Sequence, residues 1–110
     1  MEDVWIVLTT FDDEDVALQV ARDLLALRLV ACVNLLPGAT SLYYWKGDLC
    51  EEKEVVLLIK TTCEKYPELE TVLKQKHPYD EPELLAFPVH AGSEGYLGFV
   101  REAVRAPATG

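Results

Sequence analysis

Two kinds of apolar run alternate along this chain. Val4 to Leu8 (VWIVL) is short, continuous and rich in β-branched and aromatic residues, which suits a central strand buried on both faces. Beyond it Asp12, Asp13, Glu14 and Asp15 precede a helical period, with Val16, Val20, Leu24 and Leu27 on one stripe and Ala17, Ala21 and Leu25 beside it. An acidic cluster in that position starts a helix. Asp12 can cap it, the other carboxylates suit the positive end of the dipole, and the helix should run to Leu27 or Arg28. Val30 to Leu36 (VACVNLL) reads as a second strand, interrupted by Pro37-Gly38 and resumed from Thr40 to Trp45. Proline lacks a ladder donor, so a bend or bulge on a sheet edge is expected there. Lys46-Gly47-Asp48 turns the chain, and a third strand returns from Leu49, strongest over Glu54 to Thr61.

Pro67 fits an early helical position, and Leu69, Val72 and Leu73 form the stripe of a second helix. His77-Pro78-Tyr79-Asp80-Glu81-Pro82-Glu83 cannot continue it. Leu84 to Val89 is a fourth strand, with Pro88 marking an edge or an end. Ser93 can cap a last helix that buries Leu97, Val100 and Val104, weakened by Gly95 and Gly98. The order is β-α-β-β-α-β plus a final helix. Right-handed crossovers put the first two helices on one face of a four-stranded antiparallel sheet, the ferredoxin-like arrangement of the α+β class. One domain over residues 1–105 is expected, followed by a loose tail at 106–110.

The hairpin is too long for such a body. From Ala31 to Trp45 is fifteen residues, which span about 50 Å when extended. A domain of this size has a radius of gyration of only about 13 Å. The distal half carries Leu42, Tyr43, Tyr44 and Trp45, with Tyr43 and Trp45 on one face and Leu42 and Tyr44 on the other. Rings left in water on an open ribbon invite aggregation. Another copy of the same chain is the economical cover, and head-to-tail repetition of such an arm closes into a ring.

Half of the 110 residues are hydrophobic and the charges are scattered, a globular composition. No apolar run approaches the ~20 residues of a membrane helix. A net charge of −9 argues against binding to a nucleic-acid backbone. The acidic Met1-Glu2-Asp3 start does not resemble a signal peptide, and Cys32, Cys50 and Cys63 form no C-x-x-C pair. Reduced thiols and a cytoplasmic location are expected, with Cys32 as a small buried hydrophobe.

Three blocks carry a resemblance. Leu29 to Trp45 (LVACVNLLPGATSLYYW), Val55 to Thr62 (VVLLIKTT) and His77 to Val89 (HPYDEPELLAFPV) are similar, in order and spacing, to the CutA divalent-cation tolerance family. The resemblance covers nearly the whole chain. It implies a homotrimer of ferredoxin-like subunits with interlocking hairpins, near in architecture to the PII signalling trimers, which bind effectors between subunits. It also implies a role in the response to metal ions. In members to which copper binding is attributed, the ligands match Thr9, Lys76 and His77 here, and only His77 keeps a ligating side chain. His77, with a carboxylate such as Asp80 at hand, would make a weak copper or divalent-cation site, and no cofactor is required.

No nucleophile constellation, Walker A loop or G-x-G-x-x-G occurs, so an enzyme is not expected. The glycine-rich loop of acylphosphatases and the aromatic pattern of RNA-recognition domains, which share the element order, are also missing. Trp45, Lys60, Tyr79 and Glu83 are the candidate ligand-binding residues, with His77 the candidate metal ligand. Lys60 puts a charge on the apolar row of Val56 and Leu58. It reads either as an amine snorkelling to solvent or as the partner of Glu83 at the mouth of an intersubunit cleft, with Tyr79 and Trp45 as walls. Such a cleft would suit a small anion or a metal chelate. His77-Pro78-Tyr79 reads alternatively as a stiff connector in a trimer seam, and a trimeric scaffold for protein contacts is the third reading of the whole.

Overall fold

A computed structural model describes residues 2–107. Of the tail expected at 106–110, residues 108–110 lie outside the described residues, as does Met1 of the expected domain. The elements are β1 (Val4–Phe11), α1 (Glu14–Ala26), β2 (Cys32–Trp45), β3 (Asp48–Thr62), α2 (Tyr66–Lys76), β4 (Leu84–Pro88) and α3 (Glu94–Arg105). The four strands form one antiparallel sheet in the order β2-β3-β1-β4, which is the ferredoxin-like order.

The pleat divides the sheet into two unlike faces. Val7 and Phe11 of β1 lie opposite Ile59 and Val55 of β3 and point toward α1 and α2. They meet Val20 and Leu24 of α1 and Leu69 and Leu73 of α2 in the main core, all buried. The other face carries Ile6 and Leu8, with Leu58 and Lys60 beside them on β3 and Leu85 and Phe87 on β4. Helix α3 packs against β3 and β1, and its Tyr96 reaches Cys32 on this second face. Val100 and Val104 are buried beneath α3. The helix covers only part of that face: Leu85 is 55% exposed, Phe87 43% and Leu36 44%.

Several local expectations shift. Asp13, not Asp12, caps α1, its carboxylate accepting from the Val16 N–H at 3.1 Å. The buried stripe of α1 is Ala17, Val20, Ala21 and Leu24, while Val16 and Leu27 are exposed. Both lie just off the centre of the core-facing stripe, where small Ala17 and Ala21 let the helix sit close to the sheet. Cys32 is only partly buried, because the second face above it is incompletely covered. Ser93 stands at the start of α3 without a capping bond from its side chain.

The hairpin is one continuous ribbon. Its tip is a two-residue turn with Lys46 at φ 51° and Gly47 at φ 86°, the left-handed pair that matches the twist of paired strands. The register shifts between Leu36 and Ala39, where β2 takes three steps to the two from Val56 to Glu54 on β3. Pro37-Gly38 therefore makes a bulge and not a break, with Gly38 at φ 83°. The protruding ribbon raises the radius of gyration to 14.6 Å and the longest dimension to 45 Å.

The cap assignment gives a direct test. Asp13→Ala should cost ~1 kcal/mol in urea unfolding at fixed protein concentration, whereas Asp12→Ala should stay within about 0.5 kcal/mol of the parent.

Candidate functional site

The bulge decides what the arm presents. Before it, even-numbered residues of β2 (Cys32, Asn34, Leu36) share a face with Val56, Leu58 and Lys60. One extra residue exchanges the parity, so that Ala39, Ser41 and Tyr43 continue that face beside Glu54, Glu52 and Cys50. A groove of about 930 Å³ opens there, between the arm and the loop that follows α2. Trp45, Tyr79 and Glu83 line it together with Tyr43, Glu52 and Glu54.

His77 sets the loop wall. Its N–H donates to the Leu73 carbonyl at 2.9 Å and closes α2, and Pro78 takes the chain away. The imidazole is 7% exposed and stacks on Phe11, ring centroids 4.1 Å apart. Nε2 lies 2.7 Å from the Thr10 carbonyl oxygen, and Nδ1 accepts from the Tyr79 N–H at 3.1 Å. A carbonyl only accepts, so Nε2 carries the proton and the ring is neutral. Burial pushes its pKa below the ordinary value, outweighing the Thr10 carbonyl, Asp12 and Glu54, which push the other way. His77 is thus a brace that ties β1 to the loop. It can ligate a metal only by giving up one of those two bonds.

Tyr79 continues the brace. Its hydroxyl donates to Glu54 Oε2 at 2.7 Å, and its ring sits 4.7 Å from His77. Burial and the Glu54 carboxylate raise the Tyr79 phenol well above its ordinary pKa. On the arm, the hydrogen bond to Glu52 pushes the Tyr43 phenol up to about 12. Both rings stay protonated at neutral pH and can donate.

Lys60 is not in the groove. It lies opposite Cys32 and Ile6, and its amine donates to Asn34 Oδ1. Within one chain it does not meet Glu83, which precedes β4 at the other end of the β1–β4 ladder. Thr9 is fully buried toward the helices with its hydroxyl unpartnered, and Lys76 pairs with Asp23 at 3.3 Å on the surface. Of the three positions matched to copper ligands, Thr9 and Lys76 therefore offer His77 neither a thiolate nor an imidazole. Among the described residues, no three His, Cys, Asp or Glu side chains converge to hold a metal ion.

Sequence reasoning does not single out Glu52, Glu54 or Tyr43. Glu54 and Glu52 are legible in principle, because the row Lys60-Leu58-Val56 extends to them at period two. Tyr43 shares its face with the candidate wall Trp45 in the sequence reading, and the extra residue at Pro37-Gly38 is what puts that face beside Glu54 and Glu52.

The match to the family described as "CutA1 divalent ion tolerance protein" runs over residues 5–103. The chain belongs to the CutA1 divalent ion tolerance family. It is 48% identical over 103 residues to the divalent-cation tolerance protein CutA of Pectobacterium atrosepticum, covering 94% of each chain. Among solved structures it is similar to the divalent cation tolerance protein of Thermus thermophilus (42% identity, TM-score 0.87, 97% of this chain and 99% of that one). It is also similar to the periplasmic divalent cation tolerance protein CutA of Archaeoglobus fulgidus (30% identity, TM-score 0.88, 92% and 98%). These likenesses span β1 through α3, so the long ribbon and the loop after α2 belong to the shared fold.

The buried neutral imidazole makes stability pH-dependent. Its folded pKa lies below the ordinary 6.5. The stability it contributes is complete above that ordinary value and is lost as pH falls toward the lowered one. Urea midpoints should therefore drop between about pH 7 and 5, and His77→Ala should be less stable at pH 7 with a flatter slope. An equal slope in parent and variant would assign the dependence elsewhere.

Proposed function

We propose that the protein acts without enzymatic activity in the response to divalent metal ions, as a cytoplasmic homotrimer. Family membership supports the metal-response part. The observation that carries the assembly is the bare arm: Tyr44 is 74% exposed, Leu42 64% and Trp45 56%, on a ribbon that outruns its own helices. The half-covered second face with Leu85 and Phe87 adds to it, since uncovered apolar area of this extent belongs at an interface. A second copy offers the same arm and the same face, which is what a closed ring requires.

Metal binding in this reading is weak. His77 has both nitrogens engaged, and Thr9 and Lys76 contribute neither thiolate nor imidazole. A small-anion effector is the less favoured alternative, because the groove lining among the described residues contains carboxylates and no Lys, Arg or His. A purely scaffolding trimer has no observation of its own in its favour.

Sedimentation across a wide concentration range should give a trimer, and the Tyr44→Asp, Trp45→Asp double variant should move toward smaller species. A soluble single subunit for the parent would overturn the assembly. Copper titration should reveal only micromolar or weaker affinity, further weakened by His77→Ala; a tight stoichiometric site that survives the substitution would refute the assignment to His77.

A further inference from the structure

One face of the sheet carries opposite charges at opposite ends. On β3 the row that points away from α1 and α2 reads Lys60, Leu58, Val56, Glu54 and Glu52. Lys60 forms a rung with Cys32, Ile6 and Phe87, and Leu58 forms the next with Asn34, Leu8 and Leu85. Leu36, Val56 and Thr10 follow, and then Glu54 and Glu52 beside Ala39 and Ser41. Among the strand residues of this face Lys60 is the one cation.

The two ends cannot meet within one chain. Glu54 lies six residues before Lys60, about 20 Å along an extended strand. The Lys60 amine donates to Asn34 Oδ1, and Glu54 Oε2 accepts from the Tyr79 hydroxyl. Both partners are neutral, and neither charge enters an ion pair among the described residues. No hydrogen bond among the described residues engages Glu54 Oε1, which leaves that oxygen for a cation. Between the two ends the apolar rungs are bare at their margins, at Leu36, Leu85 and Phe87.

A second copy laid on this face would bury those apolar rungs and take water from the charges at both ends. An ion in that position is costly without a counter-ion. The basic end of one copy is complementary to the acidic end of another. A head-to-tail ring uses one end of each subunit at every interface and leaves none over.

We infer that Lys60 of one subunit pairs with Glu54 of the next across each interface of the assembly. The charged row of a subunit is complete only when a neighbouring copy supplies the opposite sign. This rests on the ring of copies proposed above and adds the contact that fixes its register. A slipped neighbour would set carboxylate against carboxylate, and like charges in contact repel strongly.

The test is charge exchange read by sedimentation of the full chain. Lys60→Glu and Glu54→Lys should each move dissociation to protein concentrations at least tenfold above the parent's. The double variant Lys60→Glu, Glu54→Lys should return to within about threefold of the parent. Lys74→Glu, on the exposed side of α2, should dissociate as the parent does. Glu54→Lys also removes the acceptor of Tyr79, so a cycle of Lys60→Met with Glu54→Gln, which keeps an oxygen for that hydroxyl, tests the pair if it fails to fold. The two losses should be non-additive, because either substitution alone breaks the same contact. Additive losses, or a Lys60→Glu variant that dissociates like the parent, would overturn the pair and leave a trimeric parent standing. A parent that sediments as a single subunit would remove the assembly itself.

Discussion

Side-chain alternation along β2 and β3 governs this molecule, and one extra residue between Leu36 and Ala39 resets it. Upstream of that residue the pleat sends Val33 and Leu35 into the helix-covered core and leaves Cys32, Asn34 and Leu36 on the second face. Downstream the assignment is exchanged, so Tyr43 joins Glu54 and Glu52 on the groove side. The loop after α2 can build a site only because the arm turns that particular row toward it. Gly38 makes the shift possible, since its backbone lies in the left-handed region that a side chain disfavours.

The site itself is assembled from parts whose individual energetics are poor. A buried carboxylate, a buried histidine and a loop with two prolines would each weaken an isolated element. Together they interlock: Phe11 stacks on His77, His77 fixes Tyr79, and Tyr79 satisfies Glu54. The neutral ring ties β1 to the loop after α2, two segments that share no ladder bonds. This arrangement fixes the loop wall in place with no help from regular secondary structure, and it leaves the groove's negative charge facing outward.

Element order and fold class were legible because each run has an unambiguous period. VWIVL and EVVLLIKT read as buried strands, whereas the buried stripe of α1 is turned toward Ala17 and Ala21 and leaves Val16 and Leu27, which the spacing put on it, exposed. The cap falls one residue from its expected place because four consecutive acidic residues offer several equivalent oxygens, and only the backbone geometry selects Asp13. The excess length of the ribbon was visible, since it follows from counting. The membership of the groove was visible only in part. Trp45, Tyr79 and Glu83 meet there, but Lys60 does not, because it stands beside Ile6 at the far end of the row whose other end, Glu54 and Glu52, reaches the groove. His77 reads as a ligand for its chemistry, whereas its burial and its two hydrogen bonds depend on β1 and α2 meeting in space.

The turn at Lys46-Gly47 closes the arm with no slack, each residue of β2 from Ala39 to Trp45 having a fixed opposite number on β3. Such a ribbon can change length only by whole rungs, one residue gained or lost on each side together. A lone insertion would invert everything beyond it, trading Tyr43 for Leu42 at the groove and carrying the carboxylates' neighbours to the wrong side. Lineages that shorten or extend this arm are therefore expected to do so in matched pairs, keeping the spacing from the bulge to the tip even on both strands.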